Sequence, residues 1–241
     1  QCLPLFTYPE QQKQCLPLFT YPEQLKQCLP LFTYLSKFIK DDYCQVLEVT
    51  NKILHSDGFR GNFKMAKCKC AALIKMARYE ETVKFIRNDL GDSNHKNLRL
   101  QLAYEHSYSL YRTFKNEEAL EILVEVEENS EVSNIAIDQL NELKAQILYR
   151  LEESSEAKKL YKDLIRNCAD DFEEDREINL LACEAAQSLK NGTLNQNRPG
   201  SCPKVKMTKL SATMYEAYYN RAIIHIGNGD YSKAEKSLKN A

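Results

Sequence analysis

A pair of small side chains twelve positions apart recurs along the sequence: Cys70 with Thr82, Ser107 with Ala119, Ala145 with Ala157, and Ala222 with Ala234. A small residue on each of two antiparallel helices lets their backbones approach closely, so the spacing calls for helix, short turn and helix, repeated. A degraded copy surrounds Tyr43, Val46 and Ile53. The second-helix anchors then fall at 46, 82, 119 and 157, in steps of 36, 37 and 38 residues. From 157 to 234 the step is 77, room for two units of which the first is irregular. Self-similarity of this period marks a repeat architecture. No proline occurs between Leu31 and Asn191, and beyond Leu35 the chain is mostly Leu, Glu, Lys, Ala, Tyr and Asn, which suits helices better than strands.

The last unit is the clearest. Its Tyr219-Asn220-Arg221-Ala222, followed by Gly229-Asp230-Tyr231, Ala234 and Leu238, resembles a tetratricopeptide repeat. In such a unit an aromatic after the turn plugs the gap between the helices, and Tyr231 and Tyr79 are expected in that place. Asn116 and Ser154 replace the aromatic in two units, whose second helices carry Leu123 and Tyr161 after the small residue. The expected fold is all-α, a right-handed superhelical solenoid of antiparallel helix pairs, with turns slightly long against the usual period of about 34 residues.

Residues 35–241 form the expected repeat domain, with an irregular helix and loop at about 171–211. The helix is read from about Asp171 to Leu189, opened by the acids of DDFEED, which oppose the positive end of the helix dipole, and stopped near Asn191-Gly192. The following polar, Gly- and Pro-containing stretch, with Lys204, Lys206 and Lys209, reads as a solvated loop. Ala241 falls inside the second helix of its unit and the chain starts with Gln, so a longer natural protein, truncated here, is expected. Residues 1–34 are a separate thirteen-residue tandem repeat, QCLPLFTYPEQQK, QCLPLFTYPEQLK and QCLPLFTY, whose prolines at 4, 9, 17, 22 and 30 forbid a continuous helix. Duplicated coding sequence or a gene-model error adding an unstructured tail is the favoured reading; a repeated short peptide ligand is the other.

Several function classes are disfavoured. With 33 basic and 34 acidic residues the chain has no basic excess of the kind nucleic-acid binding uses. Its apolar runs are far short of the roughly 20 residues of a membrane helix. The nine cysteines, odd in number and irregular in spacing, read as reduced thiols of a cytoplasmic protein. Cys68 and Cys70 lie two apart, on different sides of a helix, with no further ligand pair, so no metal is expected. No Gly-rich phosphate loop, GxSxG or HExxH is present, and neither enzymatic activity nor a cofactor is expected.

In a tetratricopeptide array the first helices line a concave groove. The register places Gln101, Tyr104, Tyr108 and Tyr111 there from one unit and Gln139, Glu142, Gln146 and Tyr149 from the next. Tyr104, Tyr108 and Tyr111, at i, i+4 and i+7, make one stripe, and Arg112 and Arg150 sit at equivalent places just beyond. Tyr and Arg are typical binding anchors. The candidate partner site is therefore Tyr104, Tyr108, Tyr111, Arg112, Gln146, Tyr149 and Arg150. Packing of the tyrosines between units as core remains the other reading.

From Ala145 to Ser188 the segment AQILYRLEESSEAKKLYKDLIRNCADDFEEDREINLLACEAAQS closely resembles the 72-kilodalton subunit family of the signal recognition particle, through LYRLE, YKDLIRN, DDFEEDRE and INL…AAQS. YEHSYSLYR and YYNRAIIHIGNG match more loosely, so the likeness spans about Leu35 to Ala241. The resemblance implies a subunit serving cotranslational targeting to the endoplasmic reticulum. It also implies that these repeats grip the C-terminal part of the 68-kilodalton sister subunit, and that RNA is bound only by a Lys-rich segment absent from this chain. A co-chaperone adaptor holding an acidic peptide tail is the alternative, carried by Asn220-Arg221, but Asn141, Glu142 and Gln146 stand where that clamp wants basic residues.

Overall fold

A computed structural model describes residues 42–55, 62–91, 95–129, 137–194 and 215–240, all helices and turns with no strand among them. The tandem repeat of residues 1–34 and the loop bearing Lys204, Lys206 and Lys209 lie outside the described residues. The chain divides into two compact units, Gln1–Thr82 and Val83–Ala241.

The first unit contains α1 (Tyr43–Leu54) and α2 (Phe63–Lys75). Each is started by a side chain that takes up an otherwise unpaired backbone N–H: Asp42 accepts from Gln45 N at 3.1 Å and Asn62 from Met65 N at 3.2 Å. The two helices pack through Leu47, Ala72 and Leu73, flanked by Tyr43, Val46 and Met76. Helix α3 (Tyr79–Lys84) follows and runs on into a π-helical turn, Phe85–Asp89.

The second unit then continues with α4 (Lys96–Gln101), α5 (Ala103–Arg112), α6 (Asn116–Glu128), α7 (Ile137–Arg150), α8 (Ser154–Asn167), α9 (Glu173–Leu194), α10 (Tyr215–Gly227) and α11 (Tyr231–Lys239). Consecutive helices from α5 to α11 pack on one another wherever the chain between them is described, and α5 also touches α7. The small-residue positions are all buried, and the helix pairs α5–α6, α7–α8 and α10–α11, which carry three of the four small-residue pairs, pack on one another. Cys70, Thr82, Ser107, Ala119, Ala145, Ala157 and Ala222 are wholly buried and Ala234 nearly so.

The plug is where expectation and structure part. Tyr231 is 71% exposed, and Tyr79 is only half-buried. A side chain at the first position of a helix leans back past the helix start, away from the contact that follows it. In three units the position four residues beyond the small anchor is covered instead, with Ile86, Leu123 and Tyr161 all at most 2% exposed, whereas Leu238, at that place after Ala234, is 47% exposed. Helix α9 starts at Glu173 and passes through Asn191-Gly192 to end at Leu194, so that dipeptide does not stop it. It serves two cores. Cys183 joins Ala145, Leu148, Ala157, Tyr161 and Leu164, while Leu181 and Ala185 join Ala217 and Ile224 of α10.

Four turns share one hydrogen-bond pattern. After α2, Arg78 N donates to Leu73 O and Ala77 N to Ile74 O; after α5, Lys115 N to Leu110 O and Phe114 N to Tyr111 O. After α7, Glu153 N donates to Leu148 O and Glu152 N to Tyr149 O; after α10, Asp230 N to His225 O and Gly229 N to Ile226 O. This is the Schellman closure, which needs one left-handed residue. Ala77 (φ 57°), Phe114 (φ 62°), Glu152 (φ 63°) and Gly229 (φ 77°) supply it. Only Gly229 does so without steric cost.

Two substitutions test these contacts. Glu152→Gly removes a left-handed side chain and is expected to raise stability by about 1 kcal/mol, seen as a higher urea midpoint. Gly227→Ala places a Cβ 2.6 Å from the backbone carbonyl of Ser188 and is expected to lower the midpoint by forcing α9 and α10 apart.

Candidate functional site

The candidate residues lie on two neighbouring helices. Tyr104, Tyr108, Tyr111 and Arg112 belong to α5, and Gln146, Tyr149 and Arg150 to α7. The rings of Tyr104 and Tyr108 stack with centroids 6.1 Å apart and planes 5° from parallel. Tyr108 is 2% exposed, and its hydroxyl accepts from Arg112 Nη1 at 2.8 Å. The Arg112 guanidinium also lies 5.8 Å from the Tyr108 ring centre. Burial, with Tyr108 and two nearby carboxylates adding to it, pushes the Tyr104 phenol well above its ordinary range, so it stays protonated.

A second stack crosses from α7 to α5. Arg150 lays its guanidinium 3.7 Å from the Tyr111 ring centre and donates from Nη1 to the Tyr111 carbonyl at 2.9 Å. The same guanidinium lies 5.4 Å from the ring of Phe114. Tyr111 and Gln146 are half-buried, while Tyr149, Arg112 and Arg150 are exposed. The structure therefore sorts the set by depth: Tyr108 is packed inside and holds Arg112, and the solvent-facing members are Arg112, Tyr149 and Arg150. Phe114, absent from the sequence-derived set, belongs with them. Its signal in the sequence was a bulky aromatic two residues past Arg112, where a helix-ending Gly or Asn is usual.

Glu142, placed in the groove by register, instead points into the protein. It is 6% exposed and accepts from Arg176 Nη2 at 3.3 Å. Arg176, at the start of α9 and 3% exposed, also makes two parallel bonds to Asp170, at 2.8 and 2.7 Å. Burial raises the Glu142 carboxyl in spite of Arg176, whereas the Arg176 hydrogen bonds hold Asp170 below its usual range. This triad fixes the entry of α9 against α7. His106 is buried on α5; burial, with help from Arg87, pushes its pKa down to about 4.

Among the described residues no group of three or more His, Cys, Asp or Glu is placed to hold a metal, and no helix is long and apolar enough to cross a membrane. Glu125, Glu127 and Glu128 are exposed, and Glu127 pairs with Lys144 at 2.7 Å.

A family model described as "Putative TPR-like repeat" matches residues 47–186. Among curated proteins, the chain is similar to the signal recognition particle subunit SRP72 of Schistosoma mansoni, at 32% identity over 200 residues, covering 83% of this chain and 24% of that protein. It is similar to the subunits of the same name from Canis lupus familiaris, at 32% over 200 residues, and Homo sapiens, at 31% over 200 residues. Each of these two alignments covers 83% of this chain and 26% of the relative. The chain thus spans about a quarter of the length of the curated relatives it matches.

Removing one member of a buried ion group strands the others. Arg176→Ala is expected to cost about 3–5 kcal/mol in urea unfolding, and the double substitution Glu142→Met with Arg176→Met considerably less. His106 gives a separate pH signature. A histidine whose folded pKa lies below its unfolded value stabilises the fold fully above about pH 6.5, and loses that contribution as pH falls toward 4. The loss through this group is at most about 3 kcal/mol, and His106→Phe is expected to show a shallower fall in stability across that window.

Proposed function

This chain belongs to the TPR-like repeat family that its residues 47–186 match, and on that premise we propose that it is a non-catalytic protein-binding scaffold of the signal recognition particle. The observation that carries the reading is the alignment of 83% of the chain with subunits of that particle. The partner is the 68-kilodalton sister subunit, gripped by its C-terminal part. The process served is cotranslational delivery of secretory proteins to the endoplasmic reticulum, from the cytoplasm and as part of the particle. No RNA contact is assigned to these residues, whose charges nearly cancel.

The site supports this reading in chemical terms. Tyr104, Tyr108, Tyr111, Arg112, Gln146, Tyr149 and Arg150 share one pair of adjacent helices, and their stacks order the long Arg side chains before a partner arrives. An ordered side chain loses less entropy on binding, which leaves more of each contact for affinity. Broad flat Tyr and Arg surfaces are the residues that dominate protein interfaces.

Co-purification with the C-terminal region of the 68-kilodalton subunit tests the proposal. A complex is expected, and Tyr149→Ala with Arg150→Ala should weaken it by at least about tenfold, the effect of losing a hot spot. Both side chains are exposed, so the variant should fold normally. Tyr108→Ala is a poorer probe, because it also opens the interior. A folded chain that forms no complex would end this assignment.

A further inference from the structure

The turn between α5 and α6 carries an aromatic that its geometry does not require. Phe114 holds the left-handed position and is 78% exposed. At the corresponding places Ala77, Glu152 and Gly229 close the same turn, so neither a ring nor its apolar surface is needed there. A bulky residue at positive φ is an outlier, and sites that retain such strain tend to be functional.

The second observation is Arg150. It reaches from the end of α7 to lie over Tyr111 and toward Phe114, using one donor on the Tyr111 carbonyl. A guanidinium offers five N–H donors in a planar fork. No carboxylate among the described residues pairs with it, although Glu152 and Glu153 follow closely in the chain. With one donor on the Tyr111 carbonyl, the guanidinium has further N–H groups to offer, and its fork matches a carboxylate with two parallel hydrogen bonds.

We propose that Arg150, Tyr111 and Phe114 form a seat for an acidic peptide segment of a protein partner. One Asp or Glu of that segment takes the guanidinium edge, and a neighbouring apolar side chain lies on Phe114. The inference rests on the scaffold reading above and narrows it to the chemistry the partner presents. A phosphate would also suit a guanidinium, but RNA binding draws on many cations along a backbone, and 33 basic residues here face 34 acidic ones.

Fluorescence anisotropy with the full chain decides it. The probes are a labelled peptide rich in Glu and Leu, its counterpart with Gln for Glu, and a single-stranded RNA oligonucleotide. The Glu peptide is expected to bind at least about tenfold more tightly than the Gln peptide. Arg150→Gln should abolish that difference, Arg150→Lys, which keeps the charge but loses the fork, should retain only part of it, and Phe114→Gly should weaken both peptides alike. Circular dichroism should show wild-type helicity in each variant. Equal binding of the two peptides, or a preference that survives in Arg150→Gln, overturns the inference. RNA binding that needs Arg150, with no peptide preference, overturns it too and assigns the seat to phosphate. The 68-kilodalton region is titrated in parallel. If it fails to bind while the peptide preference holds and depends on Arg150, the partner assignment falls and the seat stands. If it binds wild type and Arg150→Gln equally, the seat falls and the partner stands.

Discussion

Burial of small side chains at the helix faces is the constraint from which the pairs α5–α6, α7–α8 and α10–α11 are built. Ala145 and Ala157 share one core, and Ala222 and Ala234 are buried on the packed helices α10 and α11. A larger residue would have to displace a helix, because a packed interior has no spare volume. Once the pair is set, residues four positions on, such as Leu123 and Tyr161, are covered in turn. The Schellman turns follow from the same constraint. To reverse direction within a few residues and keep the helices touching, the chain takes one left-handed residue, and it does so even where that residue is Phe or Glu.

This ordering explains what the sequence disclosed. Twelve-residue spacing is a statement about backbone distance, so it survives exchange among Cys, Thr, Ser and Ala and could be read in four units. The turns were legible only at Gly229, because Ala77, Phe114 and Glu152 carry none of the usual signals for positive φ; there the tertiary contact overrides local preference. Tyr231 misled for a related reason. The aromatic occupies the expected place in the sequence, but a side chain at the start of a helix leans out of the contact it follows.

The candidate site was legible as a stripe and not as a depth. Helical periodicity puts Tyr104, Tyr108 and Tyr111 on one side of α5, but it cannot say that Tyr108 is closed over while Tyr111 stays partly open. That distinction comes from α7, which brings Arg150 across. The Arg176 triad was invisible for the same reason. Glu142 and Arg176 are 34 residues apart, and the acids of the DDFEED run read as a helix-start signal. In the structure the run does both, since Glu173, Glu174 and Asp175 open α9 while Asp170 binds the arginine that anchors it.

The two arginine arrangements show how one side chain serves opposite ends according to its surroundings. Arg176 is enclosed, and its charge is tolerable only because two carboxylates meet it; a buried group of this kind adds little net stability yet fixes one arrangement of its helices. Arg150 is exposed, and its position is set by the Tyr111 ring beneath it and one carbonyl, contacts that order the side chain without bringing a negative charge to it. A charge held in place and met by no carboxylate among the described residues is suited to recognition, because little ordering remains to be done when an anion arrives. Arg176 therefore belongs to the architecture that positions α9, and Arg150 to the surface that architecture presents.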